Sequence, residues 1–186
     1  MITPIYKRIK ARWQKPSENY TSVAIIFHWG MIIFIIGLFP LGYIMTGISL
    51  SPNKLELYSW HKSIGILVFL ITLLRFFWRL LYPPPELPKS FKFHTRTIAY
   101  LTHYLLYSCL FLIPLTGWLM SSAAGFPVVV FKFLQLPDFI EPSEDYRIIL
   151  SNTHFILGIC MLTLITIHIS ASIYHHFIKH DGILIR

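Results

Sequence analysis

Val23–Thr46 reads VAIIFHWGMIIFIIGLFPLGYIMT, twenty-four positions without a single Asp, Glu, Lys or Arg. Runs such as Ile32-Ile33-Phe34-Ile35-Ile36 present no polar face at helical spacing, as a helix on a soluble bundle would. The length exceeds the ~20 apolar residues that a bilayer-crossing helix needs. It is too long for the apolar core of a signal peptide, and no small-residue cleavage site closes it.

Three further stretches share this character. One runs over about 61–82, broken late by Arg75 and Arg79, and those over 97–124 and 148–178 carry no charge. With the first at about 22–46, they predict an all-α integral membrane protein, a four-helix up-and-down bundle in a single domain over 1–186. Composition agrees: 55% of the chain is apolar and 13% charged, about half the charged share of a soluble domain. So apolar a chain is not disordered. Its two cysteines, Cys109 and Cys160, sit inside apolar runs, which excludes a disulfide-stapled domain.

Lys and Arg set the orientation. Lys7, Arg8, Lys10, Arg12 and Lys15 precede the first span, and Arg75, Arg79, Lys89, Lys92 and Arg96 follow the second. With Lys179 and Arg186 they place twelve of sixteen cations on one side, opposite Lys54, Lys62, Lys132 and Arg147. Both termini are therefore expected in the cytoplasm; the family resemblance given below implies that the membrane is a bacterial inner membrane. The net charge of +8 is then a topology signal and an attraction to lipid headgroups, and nucleic acid is not an expected partner. Pro83-Pro84-Pro85 and Pro88 stiffen the inner connection. The outer connection 125–147 is the only one long enough for structure of its own, and its Val128–Phe131 segment reads as a surface-lying piece or an apolar turn.

An imidazole in hydrocarbon is costly unless paired or ligated, which makes intramembrane histidines functional candidates. His28 lies in the first span, His61 opens the second, His103 is in the third, and the fourth carries His154, His168, His175 and His176. His154 and His168 are fourteen residues apart, about 21 Å along a helix and nearly on one face. His61 matches the depth of His154, and His28 that of His168. Two opposed imidazole pairs at two depths are what two bis-histidine haems require. Spacing alone leaves His175, seven residues past His168, as a rival inner ligand, with His103 a third candidate. Gly65 and Gly158 each follow an outer histidine by four residues, on the same face, where they leave room for a porphyrin or for a close helix contact.

Other chemistries fit less well. Structural zinc gathers its ligands within a few ångströms, usually with thiolates. Covalent haem attachment needs a Cys-x-x-Cys-His, which is absent. Transporters typically bring intramembrane Asp or Glu, and the spans hold none.

From about Tyr20 to Arg186 the chain resembles the prokaryotic cytochrome b561 family. The likeness rests on Phe27-His28-Trp29, Trp60-His61-Lys62-Ser63-Ile64-Gly65, Arg75-x-x-x-Arg79 before the proline run, His103 with Leu106-Tyr107 and Pro114, and His154…His168 leading to His175-His176-Phe177. The resemblance implies two haem b groups, the inner on His28 and His168 and the outer on His61 and His154, which decides against His175 as a ligand. It also implies ubiquinone as a partner, with His103, Lys89 and His175 near its site, and superoxide as one known donor at the outer face. Arg75 and Arg79 are then available to haem propionates or headgroups, or serve as a plain cationic anchor. Asp138, Glu141, Glu144 and Asp145 on the outer side depart from the cationic surface that would gather superoxide.

The expectation is electron transfer between a periplasmic donor or acceptor and quinone. With superoxide as partner the protein is an oxidoreductase; otherwise it is an electron carrier, or the haem-binding membrane anchor of a larger oxidoreductase. A reading of a different class is a non-redox membrane adaptor with structural histidines, which would be colourless.

Overall fold

The computed structural model describes residues 19–88 and 90–185. Four long helices dominate: α1 (Ser22–Gly47), α2 (Pro52–Leu81), α3 (Phe93–Ala123) and α4 (Glu144–Tyr174). Each is long and apolar enough to cross a membrane. Thr21, Ser51 and Ser143 cap α1, α2 and α4, each accepting a backbone N–H from three residues on. Pro52 then supplies the fixed φ that suits a first turn, and Glu144 and Asp145 complement the positive end of α4.

Burial runs opposite to that of a soluble bundle. Ile26, Ile33 and Ile36 of α1 are 67–71% exposed, whereas Thr72, Ser63 and Ser122 are 0–2% exposed. Only hydrocarbon tolerates such a surface, and small hydroxyl residues let helices approach while bonding back to their own carbonyls. Thr72 Oγ1, for example, donates to Val68 O at 2.8 Å.

α1 packs on α2, α2 on α3, and α3 on α4, but α4 packs closely on neither α1 nor α2. A slot therefore runs along α4, facing the first two helices.

The second span departs from the expectation of 61–82. α2 starts at Pro52, so His61 lies in the helix interior and the connection from α1 shrinks to 48–51. Lys54 and Glu56 lower the hydropathy there without breaking the helix, which Ser51 caps and Pro52 starts. α4 likewise begins at Glu144, before the expected 148, and continues past Tyr174 as a π turn, His175–Lys179.

Val128–Phe131 is more than a simple turn. Strands β1 (Val129–Val130) and β2 (Leu134–Gln135) form an antiparallel hairpin with Val129 opposite Gln135 and Val130 opposite Leu134. Val128 and Val130 bury against Ile66 of α2, with Trp118 and Leu136 around them. Phe131 (φ 47°) and Lys132 (φ 67°), the first two of the three residues that join the strands, are left-handed and form the centre of a tight turn closed by Phe133 N–H donating to Val130 O at 3.1 Å. Neither is a glycine, so contacts must hold them. Ser63 Oγ accepts Phe131 N–H at 2.9 Å, the Trp60 and Phe131 rings meet edge-on at 6.1 Å, and Lys132 Nζ pairs with Glu56 at 3.2 Å.

Candidate functional site

The structure brings the histidines together in pairs across the slot. On the inner half, the rings of His28 (α1) and His168 (α4) have centres 6.2 Å apart with planes at 89°. On the outer half, His61 (α2) and His154 (α4) stand 6.4 Å apart at 66°. Among the described residues, no three His, Cys, Asp or Glu side chains gather as they would round a bare metal ion.

His103 joins the inner group. Its ring centre is 5.3 Å from that of His168, and its Nδ1 lies 2.7 Å from Ala99 O. That contact needs a proton on Nδ1, which leaves Nε2 as the lone-pair nitrogen. His175 is engaged elsewhere. In the π turn after α4 its Nδ1 bonds Asp181 Oδ2, and its ring stacks on Phe91 with centres 4.8 Å apart. Asp181 is held in turn by Ile183 N–H at 3.3 Å. Lys89 lies outside the described residues.

A register links the two levels. Each long helix carries a pair of positions fourteen residues apart: His28 and Gly42, His61 and Arg75, His103 and Gly117, His154 and His168. The outer glycines are what sequence reasoning missed. A methyl group on Gly42 would lie 3.2 Å from His61 Cε1, and one on Gly117 would lie 3.1 Å from His154 Cε1. Each outer imidazole thus rests against the backbone of an adjacent helix at the one residue type that admits it. Repetition of the fourteen-residue step from His28 and His103 is a signal that could have found them.

The two outer imidazoles differ in their second contacts. His154 Nδ1 lies 3.0 Å from Ile113 O and 3.3 Å from Thr116 Oγ1, while His61 Nδ1 is buried without a partner. Gly65 and Gly158 meet nothing: a methyl group on either would have no atom within 4 Å. Open space therefore borders the outer pair on both helices that carry it. Arg75 and Arg79, on the inner half of α2, both approach the ring of Tyr107.

Comparison with known proteins gives one consistent answer. The sequence profile of the family described as prokaryotic cytochrome b561 matches residues 19–186. The chain is 33% identical over 170 residues to cytochrome b561 homolog 2 of Escherichia coli (strain K12), covering 91% of this chain and 90% of that one. It is 24% identical to cytochrome b561 homolog 1 of the same organism, covering 91% and 96%. It is 22% identical to the probable superoxide oxidase CybB of Yersinia pestis, covering 91% and 95%. With four apolar helices and a profile match over nearly its whole length, the chain belongs to the prokaryotic cytochrome b561 family, multi-pass bacterial membrane proteins that bind b-type haem and transfer electrons.

Proposed function

We propose that the chain is a di-haem cytochrome that moves electrons across the inner membrane between a periplasmic redox partner and the quinone pool, with both termini in the cytoplasm. One observation carries the reading: the separation within each histidine pair. An imidazole centre lies about 1.2 Å from its nitrogen and a metal–imidazole bond is about 2 Å, so two imidazoles sharing one iron would have centres roughly 6.4 Å apart. The pairs here stand at 6.2 Å and 6.4 Å.

The surroundings fit the group as well. α4 stands off from α1 and α2, leaving a slot between the helices that carry each pair. Gly65 and Gly158 keep the space beside the outer pair open. When bound, haem b supplies an iron that gains and loses one electron reversibly. His28 and His168 would hold the inner group, and His61 and His154 the outer. Ile113 O accepts the Nδ1 proton of His154, which fixes the tautomer with Nε2 free to ligate. Hydrocarbon around the bundle excludes water from both levels.

At the inner end, His103 and His175, each with Nδ1 committed to an oxygen and Nε2 left to accept, are the polar groups suited to the hydroxyls of a quinol, His175 fixed in orientation by Asp181. At the outer end, Lys54 Nζ donates to Ile48 O at 2.8 Å and Lys62 Nζ to Phe126 O at 3.3 Å. Asp138 and Glu141 line a hollow on the same outer connection. Cations committed to carbonyls, with the Asp138 carboxylate near enough to act on Lys62, make a poor funnel for an anion. A redox protein is therefore favoured over superoxide as the outer partner, and the chain acts as a carrier or membrane anchor for it.

The test is a dithionite-reduced minus oxidised spectrum with haem quantitation, on wild type and four single His→Ala variants. The expected result is about two haems per chain, with His28→Ala and His168→Ala losing one and His61→Ala and His154→Ala the other. A colourless protein after expression with ample haem would refute the reading and restore the adaptor alternative. Superoxide-driven quinone reduction by the wild type would overturn the choice of outer partner alone.

A further inference from the structure

The outer connection does more than close the bundle. Two tryptophans next in sequence to outer-level positions, Trp60 before His61 and Trp118 after Gly117, each hold the ring of a phenylalanine on it. Trp60 meets Phe131 edge-on at 6.1 Å, and Phe131 lies nearly parallel to Phe133, with centres 6.4 Å apart and planes at 20°. Trp118 meets Phe139 at 4.7 Å, and its Nε1–H donates to Pro137 O at 3.1 Å. Both chains of rings end in the open: Phe133 is 79% exposed and Phe139 57%. Trp118 also packs against Val128 and Val130, so the hairpin and Phe139 share one apolar support. The backbone that presents Phe133 is left-handed at Phe131 and Lys132, a conformation that residues other than glycine hold only under constraint.

The charge on this connection is one-sided. Residues 125–147 carry four acids, Asp138, Glu141, Glu144 and Asp145, against Lys132 and Arg147. Both cations are engaged in ion pairs, Lys132 with Glu56 and Arg147 with Glu144. Of the other three acids, Asp138 is near enough to act on Lys62, while Glu141 and Asp145 join no ion pair among the described residues. Asp138 and Glu141 flank Phe139 in the chain and line a hollow with it. An anionic margin repels anionic headgroups, and it repels the same face of a second copy, which in a two-fold pair would meet itself. A cationic margin is what it attracts.

We infer that Phe133 and Phe139, with Asp138 and Glu141 at their margin, form the docking surface for a small soluble redox protein whose cofactor edge is ringed by lysines. Apolar rings at the centre exclude water, and charges at the rim steer and orient, the division of labour found in protein interfaces. The exposed rings stand on the tryptophans beside the outer site, so a protein seated on them is brought toward His61 and His154. Electron transfer weakens steeply with distance, which makes this the place for such a partner to sit. That the partner is a redox protein rests on the di-haem reading; the surface and its preference for cations do not.

The probe is ferric cytochrome c, a small soluble protein with lysines round its haem edge, compared with the same protein after its lysines are succinylated. Binding to the full chain in nanodiscs of zwitterionic lipid is read by surface plasmon resonance, and oxidation of the reduced chain by rapid mixing. At low salt the native probe is expected to bind at least about tenfold tighter than the succinylated one, an advantage that shrinks as salt rises. Phe133→Ser is expected to weaken native binding about tenfold, and Asp138→Asn with Glu141→Gln to slow association, each with the spectrum of the wild type. Equal affinity for the two probes, or undiminished binding in both variants, would refute the docking surface. Phe133→Cys is also treated with a charged, membrane-impermeant maleimide, the wild type serving as control for Cys109 and Cys160. Labelling in nanodiscs supports a surface open to water; labelling only in detergent would put this ring in the lipid and overturn the proposal. Binding that leaves the reduced chain unoxidised would overturn the redox character of the partner. A wild type without haem would refute the di-haem reading, and the binding arm would still decide the surface.

Discussion

A single methyl group at position 117 tests the outer site from the side of α3. On Gly117 it would sit 3.1 Å from His154 Cε1 and 3.3 Å from His154 Nδ1, where carbon atoms pack at about 3.5–4.0 Å. The ring must retreat by about half an ångström. It is not free to do so, because Nδ1 is bonded to Ile113 O at 3.0 Å, and retreat stretches that bond. Overpacking of this kind costs about 1–3 kcal/mol, and weakening a hydrogen bond adds up to about 1 kcal/mol. Gly117→Ala is therefore expected to loosen the outer haem by between about fivefold and several hundredfold. The helix itself is not weakened, since Ala is favoured over Gly by about 1 kcal/mol in a helix interior. Gly42→Ala crowds His61 Cε1 at 3.2 Å, but His61 Nδ1 has no bond to stretch, so its effect should be smaller. Haem titration into apo-protein, read at the outer haem's own spectral band, measures both. Unaltered outer binding in Gly117→Ala, or a loss confined to the inner haem, would refute this account of the cradle.

Two further perturbations are as direct. A Cβ at Gly65 or Gly158 meets no protein atom within 4 Å, and neither does one at Gly30 or Gly37; of Val substitutions at the four, only the first two should lose the outer haem, and equal tolerance at all four would mean that no porphyrin lies there. Ser63→Ala leaves the Phe131 N–H without its acceptor at a cost of about 1–3 kcal/mol. Hydrogen exchange over 128–136 should quicken with both haems retained, and unchanged protection would show that the hairpin is held by Val128 and Val130 alone.

Much of the architecture is written in uncharged length. The four helices are where apolar runs predict them, because a bilayer demands little else of a span. Their outer ends are not so written, since water tolerates charge on a helix. The start of α2 was nevertheless signalled by Ser51-Pro52, a capping hydroxyl before a proline, a local cue that hydropathy overrides. The hairpin was illegible for the opposite reason. Phe131-Lys132 carries none of the Asn-Gly chemistry of a tight turn, and its conformation is imposed by Ser63, Trp60 and Glu56 from another helix. At the site, depth along the helices anticipated which histidines would meet. It did not anticipate Gly42, Gly117 or Tyr107, whose roles exist only between helices.

The fourteen-residue step spans two heptads, which at 3.6 residues per turn lags by roughly 40°. All four helices share that step between their inner and outer positions. For both levels to face their neighbours, the helices need the gentle left-handed supercoil of a 3.5-residue repeat. The distance between the levels is then a covalent quantity, about 21 Å of helical rise on every helix at once. Loops can lengthen, shorten or change sequence without altering it. The spacing of the two histidine levels is ruled by the pitch of four rigid rods, and the connections are left free to vary.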